Sequence, residues 1–169
     1  MSAATKVLPL PRLVEALAPL RAAGRTVALA NGLFDLLHVG HLRYLEGAKA
    51  EADVLVVGVN SDASARRLKG PSRPIVPEDE RAELVAGLEC VDFVTLFPEP
   101  TVETLMRALR PAVHCKGTDY AVGTVPEREI AGELGIRIAI VGDPKRHATR
   151  DLLRAIRDPA PETSEEGSS

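Results

Sequence analysis

Between Asp53 and Asn60 the chain reads DVLVVGVN, with no polar residue inside the run. A strand of that composition has no solvent face, and such strands belong to parallel sheets covered by helices on both sides. The rest of the sequence supplies the partners that this requires. Short apolar runs at Thr26–Ala30, Val91–Phe97, Ala112–Lys116 and Ile136–Val141 read as further strands. Between them, helical periodicity appears at Pro9–Ala23, Gly40–Ala52, Glu78–Leu88, Thr101–Leu109, Pro126–Leu134 and Thr149–Arg157. Leu13, Leu17 and Leu20 share one face of the first of these, and Leu42, Leu45 and Ala48 one face of the second. Gly24 stops the first helix, and Pro126 is suited to a first helical position. Strand followed by helix, repeated along the chain, predicts an α/β protein: a Rossmann-like open parallel sheet of about five strands with helices on both faces. Residues 61–77, with Lys69-Gly70-Pro71, Pro74 and Pro77, read as a loop, and residues 1–8 as a ragged start.

At 169 residues and 45% apolar content the chain has material for one domain with a real core, which excludes disordered and fibrous classes. The organisation expected is an N-terminal helical extension (1–24), one domain (25–157) and a disordered acidic tail (158–169). Two cysteines, Cys90 and Cys115, cannot form a disulfide framework, and no signal peptide is read; both fit a cytoplasmic protein. No apolar run is long enough to span a bilayer. Aromatic residues are 3% with no Trp, which argues against stacking platforms for single-stranded nucleic acid. Residues 158–169 hold four acids and no base, so the net charge of −3 becomes +1 for residues 1–157. A nearly neutral body leaves no large nucleic-acid footprint, and any anion site must come from local clusters.

Open parallel sheets bind ligands beyond the carboxyl ends of their strands, at the switch point. The segment after the first strand is NGLFDLLHVGH, Asn31 to His41, which places His38-Val39-Gly40-His41 where a helix begins. Helix N-termini expose unpaired N–H groups that attract anions, and Gly40 permits close approach of a phosphate. Two imidazoles there could donate to charge developing on a phosphate. The same residues also admit a metal pair at i, i+3 or ordinary surface histidines; a zinc site would need a third and usually a fourth ligand, and none but Asp35 is at hand, so no metal site is expected. Three further segments follow strands: the basic Arg66, Arg67, Lys69 and Arg73; the loop Lys116-Gly117-Thr118-Asp119-Tyr120; and Asp143 to Arg150 before the last helix. As bare residue patterns they also admit a solvated basic loop and an ordinary Gly-Asp turn. No GxxxxGK occurs, which excludes a P-loop kinase.

NGLFDLLHVGH resembles the signature of the HxGH-motif nucleotidyltransferase superfamily, which includes glycerol-3-phosphate cytidylyltransferase and pantetheine-phosphate adenylyltransferase. VNSDASARRLKGPSRPI (Val59–Ile75), EDERAELVAGLECVDFV (Glu78–Val94) and KGTDY (Lys116–Tyr120) are similar to the adenylyltransferase domain of the bacterial heptose-1-phosphate enzyme, whose fused kinase domain is expected to be absent here. The resemblance spans about residues 25–157. It implies attack of a sugar-1-phosphate oxygen on the α-phosphorus of a nucleoside triphosphate, with loss of pyrophosphate and no covalent enzyme intermediate. ATP is the implied nucleotide and Mg²⁺, bridging phosphate oxygens, the implied metal. His38, His41 and Lys69 are the implied catalytic residues. Asn31, Gly32, Phe34, Asp35, Gly40, Arg81, Lys116, Gly117, Asp119, Lys145 and Thr149 are implied at the nucleotide, Arg81 alternatively as an exposed neighbour of Pro77 and Val85. The implied partners are the nucleotide, the sugar phosphate and a second copy in a homodimer, with no nucleic acid and no membrane. Where the family has Ser-Thr or Ser-Ser at the last helix start, this chain has Ala148-Thr149, which removes one hydroxyl and keeps the cap. The alternatives are a cytidylyltransferase using CTP and glycerol 3-phosphate or another small phosphate ester, and a non-catalytic nucleotide-binding module.

Overall fold

The computed structural model describes residues 1–144 and 149–158. Its sheet has five parallel strands: β1 (Val27–Gly32), β2 (Val54–Asn60), β3 (Phe93–Phe97), β4 (Val113–Gly117) and β5 (Arg137–Val141), in the order β3-β2-β1-β4-β5. The helices are α1 (Ala3–Lys6), α2 (Leu10–Ala22), α3 (Val39–Ala50), α4 (Asp62–Lys69), α5 (Glu78–Ala86), α6 (Glu103–Leu109), α7 (Arg128–Leu134) and α8 (Thr149–Arg157). Among the described residues, no helix is long and apolar enough to cross a membrane.

Side-chain alternation along the strands divides the core in two. Leu55, Val57 and Val59 of β2 join Leu45 and Ala48 of α3 and Val85 of α5 on one face. Val54 and Val56 join Leu13 and Leu17 of α2, and Leu105, Met106 and Leu109 of α6, on the other. All seven residues of β2 are buried, as its composition demanded.

Two segments depart from the sequence reading. Residues 62–69, read as loop, form α4. Ser61 caps it by accepting the Ser64 N–H at 3.2 Å, and only the small Ser64 and Ala65 face inward, so the helix shows no apolar stripe. The first eight residues are ordered against the sheet edge. The Leu8 N–H donates to Val94 O at 2.9 Å, and the Lys6 ammonium donates to Val91 O at 2.7 Å. Leu13 and Leu17 are fully buried, so the N-terminal stretch contributes to the core rather than extending from it.

β1 pairs with β2 over six residues, from Val27↔Val54 to Gly32↔Val59, but with β4 only at Ala28↔Val113 and Leu29↔His114. Beyond Leu29 the two central strands part. The chain order reverses at this point, since β1 leads outward to β2 on one side and has β4 on the other.

Candidate active site at the switch point

A cavity of about 1270 Å³ opens where β1 and β4 separate. Volumes of this order exceed what a drug-sized ligand fills, leaving space for a nucleotide and a second small molecule. Its walls include Asn31, Gly32, Phe34, Asp35, His38, Gly40, His41, Lys69, Lys116, Gly117, Asp119 and Thr149, so twelve of the residues named from sequence meet in one place. Thr149 is the first residue of α8. Lys145, together with His147 and Ala148, lies outside the described residues.

His38 is the N-cap of α3, and its Nδ1 accepts the Gly40 N–H at 3.1 Å. A backbone amide can only donate, so Nδ1 carries a lone pair and the neutral ring holds its proton on Nε2. The cap thereby makes His38 a donor at its outer nitrogen. The His38 and His41 rings stack with centroids 4.0 Å apart and planes 25° apart, and Phe34 meets His41 at 5.3 Å. Phe34 itself adopts a left-handed φ of 51°. Its ring lies so close to Gly32 that a Cβ there would stand 3.0 Å from Cε2, which accounts for glycine at that position. Among the described residues, no three His, Cys, Asp or Glu side chains are grouped to hold a metal.

Asp35 touches the cavity but is only 3% exposed, and its carboxylate is engaged with protein. It pairs with Arg73 Nε at 2.6 Å and accepts the N–H groups of Ile75 and Val76 at 2.8 and 3.0 Å. Its role is to fold the segment after α4 against the β1 loop. Arg73 is thus tied down, while Lys69, at the end of α4, is exposed on the cavity wall. Arg66 and Arg67 are exposed but do not line the cavity, and Arg67 is bonded to Pro98 O.

Arg81 corrects the sequence expectation. It is fully buried and does not line the cavity. Its guanidinium donates to Val76 O at 2.9 Å, Leu33 O at 2.5 Å and Asp62 Oδ1 at 2.8 Å. Five donors in a planar fork suit this junction, where a loop, a helix start and a second loop converge. It braces the wall from behind and is not an exposed neighbour of Pro77 and Val85 either.

On the opposite wall the Lys116 ammonium lies 3.4 Å from Glu127 Oε2 and 5.0 Å from the Tyr120 ring centroid. Burial would raise the Glu127 pKa, but His114 and the positive charge of Lys116 outweigh it and hold the carboxyl down at about 2. Thr118 donates to Asp143 O at 2.8 Å, and Asp143 pairs with Arg43 of α3 at 3.0 Å, which ties the β4 and β5 loops to α3. The sequence reading missed Tyr44, Arg154 and Arg157 on the walls, and Glu127 behind Lys116. Arg150, Arg154 and Arg157 stand at i, i+4 and i+7 of α8, a spacing that was available as a signal for one basic face.

Comparisons with known proteins agree with this geometry. The bifunctional protein HldE of Geobacter sulfurreducens is 44% identical over 151 residues, 89% of this chain and 31% of the relative. That of Pseudomonas entomophila is 42% identical over 89% of this chain and 32% of its own length. This chain therefore spans about three tenths of the length of these curated relatives. Among solved structures, the lipopolysaccharide core biosynthesis protein from Thermoplasma volcanium superposes with a TM-score of 0.63 at 28% identity, covering 72% of this chain and 100% of that one. The family model for cytidylyltransferase-like proteins matches residues 29–157, which takes in every residue lining the switch-point cavity but Asp158, and all five strands but the first two residues of β1. By that match, the chain belongs to the cytidylyltransferase-like family of nucleotidyltransferases.

Proposed function

We propose that this chain joins the adenylyl group of ATP to a sugar 1-phosphate, D-glycero-β-D-manno-heptose 1-phosphate, with release of pyrophosphate. The observation that carries the reaction type is the His38–His41 pair at the start of α3, with the His38 proton held on Nε2 by the Gly40 amide. In this reading an oxygen of the acceptor phosphate attacks the α-phosphorus, the new P–O bond forms, and the bond to the β-phosphate oxygen breaks. The electron pair leaves with pyrophosphate. The protein has little covalent chemistry to perform, and positioning and charge stabilisation are its task. His38 and His41 donate to phosphate oxygens as charge develops. The N–H groups opening α3 add their dipole, and Lys69 closes on the phosphates from the opposite side. Mg²⁺ brought in with the triphosphate would supply neutralisation of phosphate charge, and among the described residues no cluster of His, Cys, Asp or Glu is grouped to hold it separately.

The heptose assignment is supported by the likeness of RLKGPSRP and KGTDY to the heptose-phosphate branch, and by relatives named HldE at 42–46% identity. The Thermoplasma protein, described as acting in lipopolysaccharide core biosynthesis, points the same way. The test is pyrophosphate release measured across four nucleoside triphosphates and a panel of sugar and polyol phosphates. Turnover with ATP and heptose 1-phosphate is expected. Preference for CTP with glycerol 3-phosphate would replace this reading by the cytidylyltransferase one, and binding without turnover would leave a nucleotide-binding module.

A further inference from the structure

β4 carries His114 and Lys116 two residues apart, so strand alternation puts both side chains on one face of the sheet. The chain leaves β4, makes a short 3₁₀ turn at Val122–Thr124 and returns to start α7, and the residue that caps α7, Glu127, comes back over these two. Glu127 Oε2 lies 3.6 Å from His114 Nε2 and 3.4 Å from Lys116 Nζ. All three residues are buried: His114 is 0% exposed, Lys116 8% and Glu127 8%. The second nitrogen of His114, Nδ1, faces Leu29 O at 3.3 Å, so the ring stands between the β1 backbone and the Glu127 carboxylate. One buried carboxylate thus lies between the His114 ring and the Lys116 ammonium, and Lys116, the outer of the two, borders the cavity.

A buried ammonium without a counter-ion is strongly disfavoured, and a long flexible lysine has no preferred direction of its own. The carboxylate answers both needs, and the Tyr120 ring bounds the ammonium from a further side. We propose that Glu127 is a positioning residue for Lys116: backed by His114, it fixes the ammonium at the cavity wall, where a phosphate oxygen of the bound nucleotide completes its hydrogen bonds. This rests on the reading of the cavity as a nucleoside triphosphate site. It makes the α7 cap part of the phosphate-binding apparatus, although Glu127 itself does not line the cavity.

A double-mutant cycle tests it, using full-length protein and calorimetric binding of ATP with Mg²⁺ and, separately, of inorganic pyrophosphate. K116M is expected to weaken both ligands about tenfold, as loss of a hydrogen bond to a charged group does. E127Q is expected to weaken them about threefold to tenfold, with kcat changed less than KM. In the K116M background E127Q should have no further effect, because a residue acting through Lys116 has nothing left to act on. E127D should recover part of the affinity. Additive losses, or full affinity in E127Q, would overturn the proposal, as would full affinity in K116M. If E127Q does not fold, E127D in the same cycle decides, since it withdraws the carboxylate while keeping its charge. A wild-type chain that neither binds nor turns over any nucleoside triphosphate would remove the functional reading and this inference together; wild-type turnover with additive losses removes this inference alone.

Discussion

The hydroxyl of Tyr44 joins the two central strands where their own pairing ends, accepting the Asn31 N–H at 3.3 Å and donating to Cys115 O at 2.8 Å. Asn31 and Cys115 each stand two or fewer residues past the last β1–β4 pair, Leu29↔His114. The Tyr44 hydroxyl thereby gives both of these backbone groups a partner where the two strands part. Tyr44 comes from α3, the helix that His38 begins, so one helix both seals the floor of the cavity and presents its imidazoles. Gly142 makes this possible from the side of β5. It has a φ of 91°, and a Cβ there would stand 3.1 Å from Tyr44 Cα.

Replacing Tyr44 by Phe should therefore lower stability by about 1–3 kcal/mol, since two backbone groups at the part-buried cavity floor each lose a hydrogen bond. The denaturant midpoint should fall with an unchanged slope. Because Asn31 opens the segment leading to His38, kcat/KM for the nucleotide should fall as well. A variant as stable as wild type would show that the hydroxyl bridge is dispensable.

The two histidines are separable by a choice of substitution. His38→Ala and His41→Ala should each lower kcat by about 10²–10³, as loss of one preorganised donor does. His38→Ala removes the helix cap too, at about 1 kcal/mol of stability. His38→Asn keeps an acceptor where Nδ1 stands and removes the Nε2 donor. It should be nearly as stable as wild type and nearly as slow as the alanine variant. Steady-state turnover beside thermal melts decides, and an active His38→Asn would put the chemistry elsewhere.

Acid should act through Glu127. Its folded carboxyl titrates at about 2 and an unfolded one at the ordinary value of 4.5, so the unfolded chain binds a proton first as pH falls. The stability contributed by this group is complete above about pH 4.5 and is lost progressively as pH falls toward about 2. It is worth on the order of 3 kcal/mol. E127Q should flatten that part of the stability–pH curve while leaving other acidic transitions in place. Urea midpoints for both proteins between pH 2 and 6 would show parallel curves if Glu127 has no such role.

What could be read from the sequence follows from how local each cause is. β2 was legible because burial on both faces writes itself into consecutive residues. The site segment at His38–His41 was legible because it needs a strand end, a turn and a helix start in order. α4 was not, because its inward face consists of Ser64 and Ala65, which leave no periodic apolar signal; only the Ser61 cap marked it. Tyr44 reads as an ordinary core aromatic on α3, and its value depends on a gap between strands that lie far apart in sequence. Asp35, Glu127 and Arg81 act on partners 38 to 41, 11 to 13 and up to 48 positions away, respectively, distances at which a single sequence carries no pairing information.

Arg81 gives the sharpest case, since the resemblance implied contact with nucleotide and the structure buries it behind the wall. Its three bonded partners belong to three segments: Leu33 on the loop before α3, Asp62 at the start of α4 and Val76 before α5. Arg81→Lys keeps the charge and loses the fork, so at most one of those carbonyls and the carboxylate can be met well. Stability should fall by about 2–4 kcal/mol, near the range for breaking a buried pair, lowered because the Asp62 side chain is 27% exposed. Nucleotide affinity, measured well below the melting temperature, should stay within about threefold of wild type, because no bond to ligand has been removed. The two roles predict opposite patterns. A residue at the phosphates would lose affinity tenfold or more with stability little changed, and a brace loses stability with affinity kept. Urea denaturation and calorimetric titration of the single variant distinguish them, and a large loss of affinity in a stable protein would return Arg81 to the nucleotide.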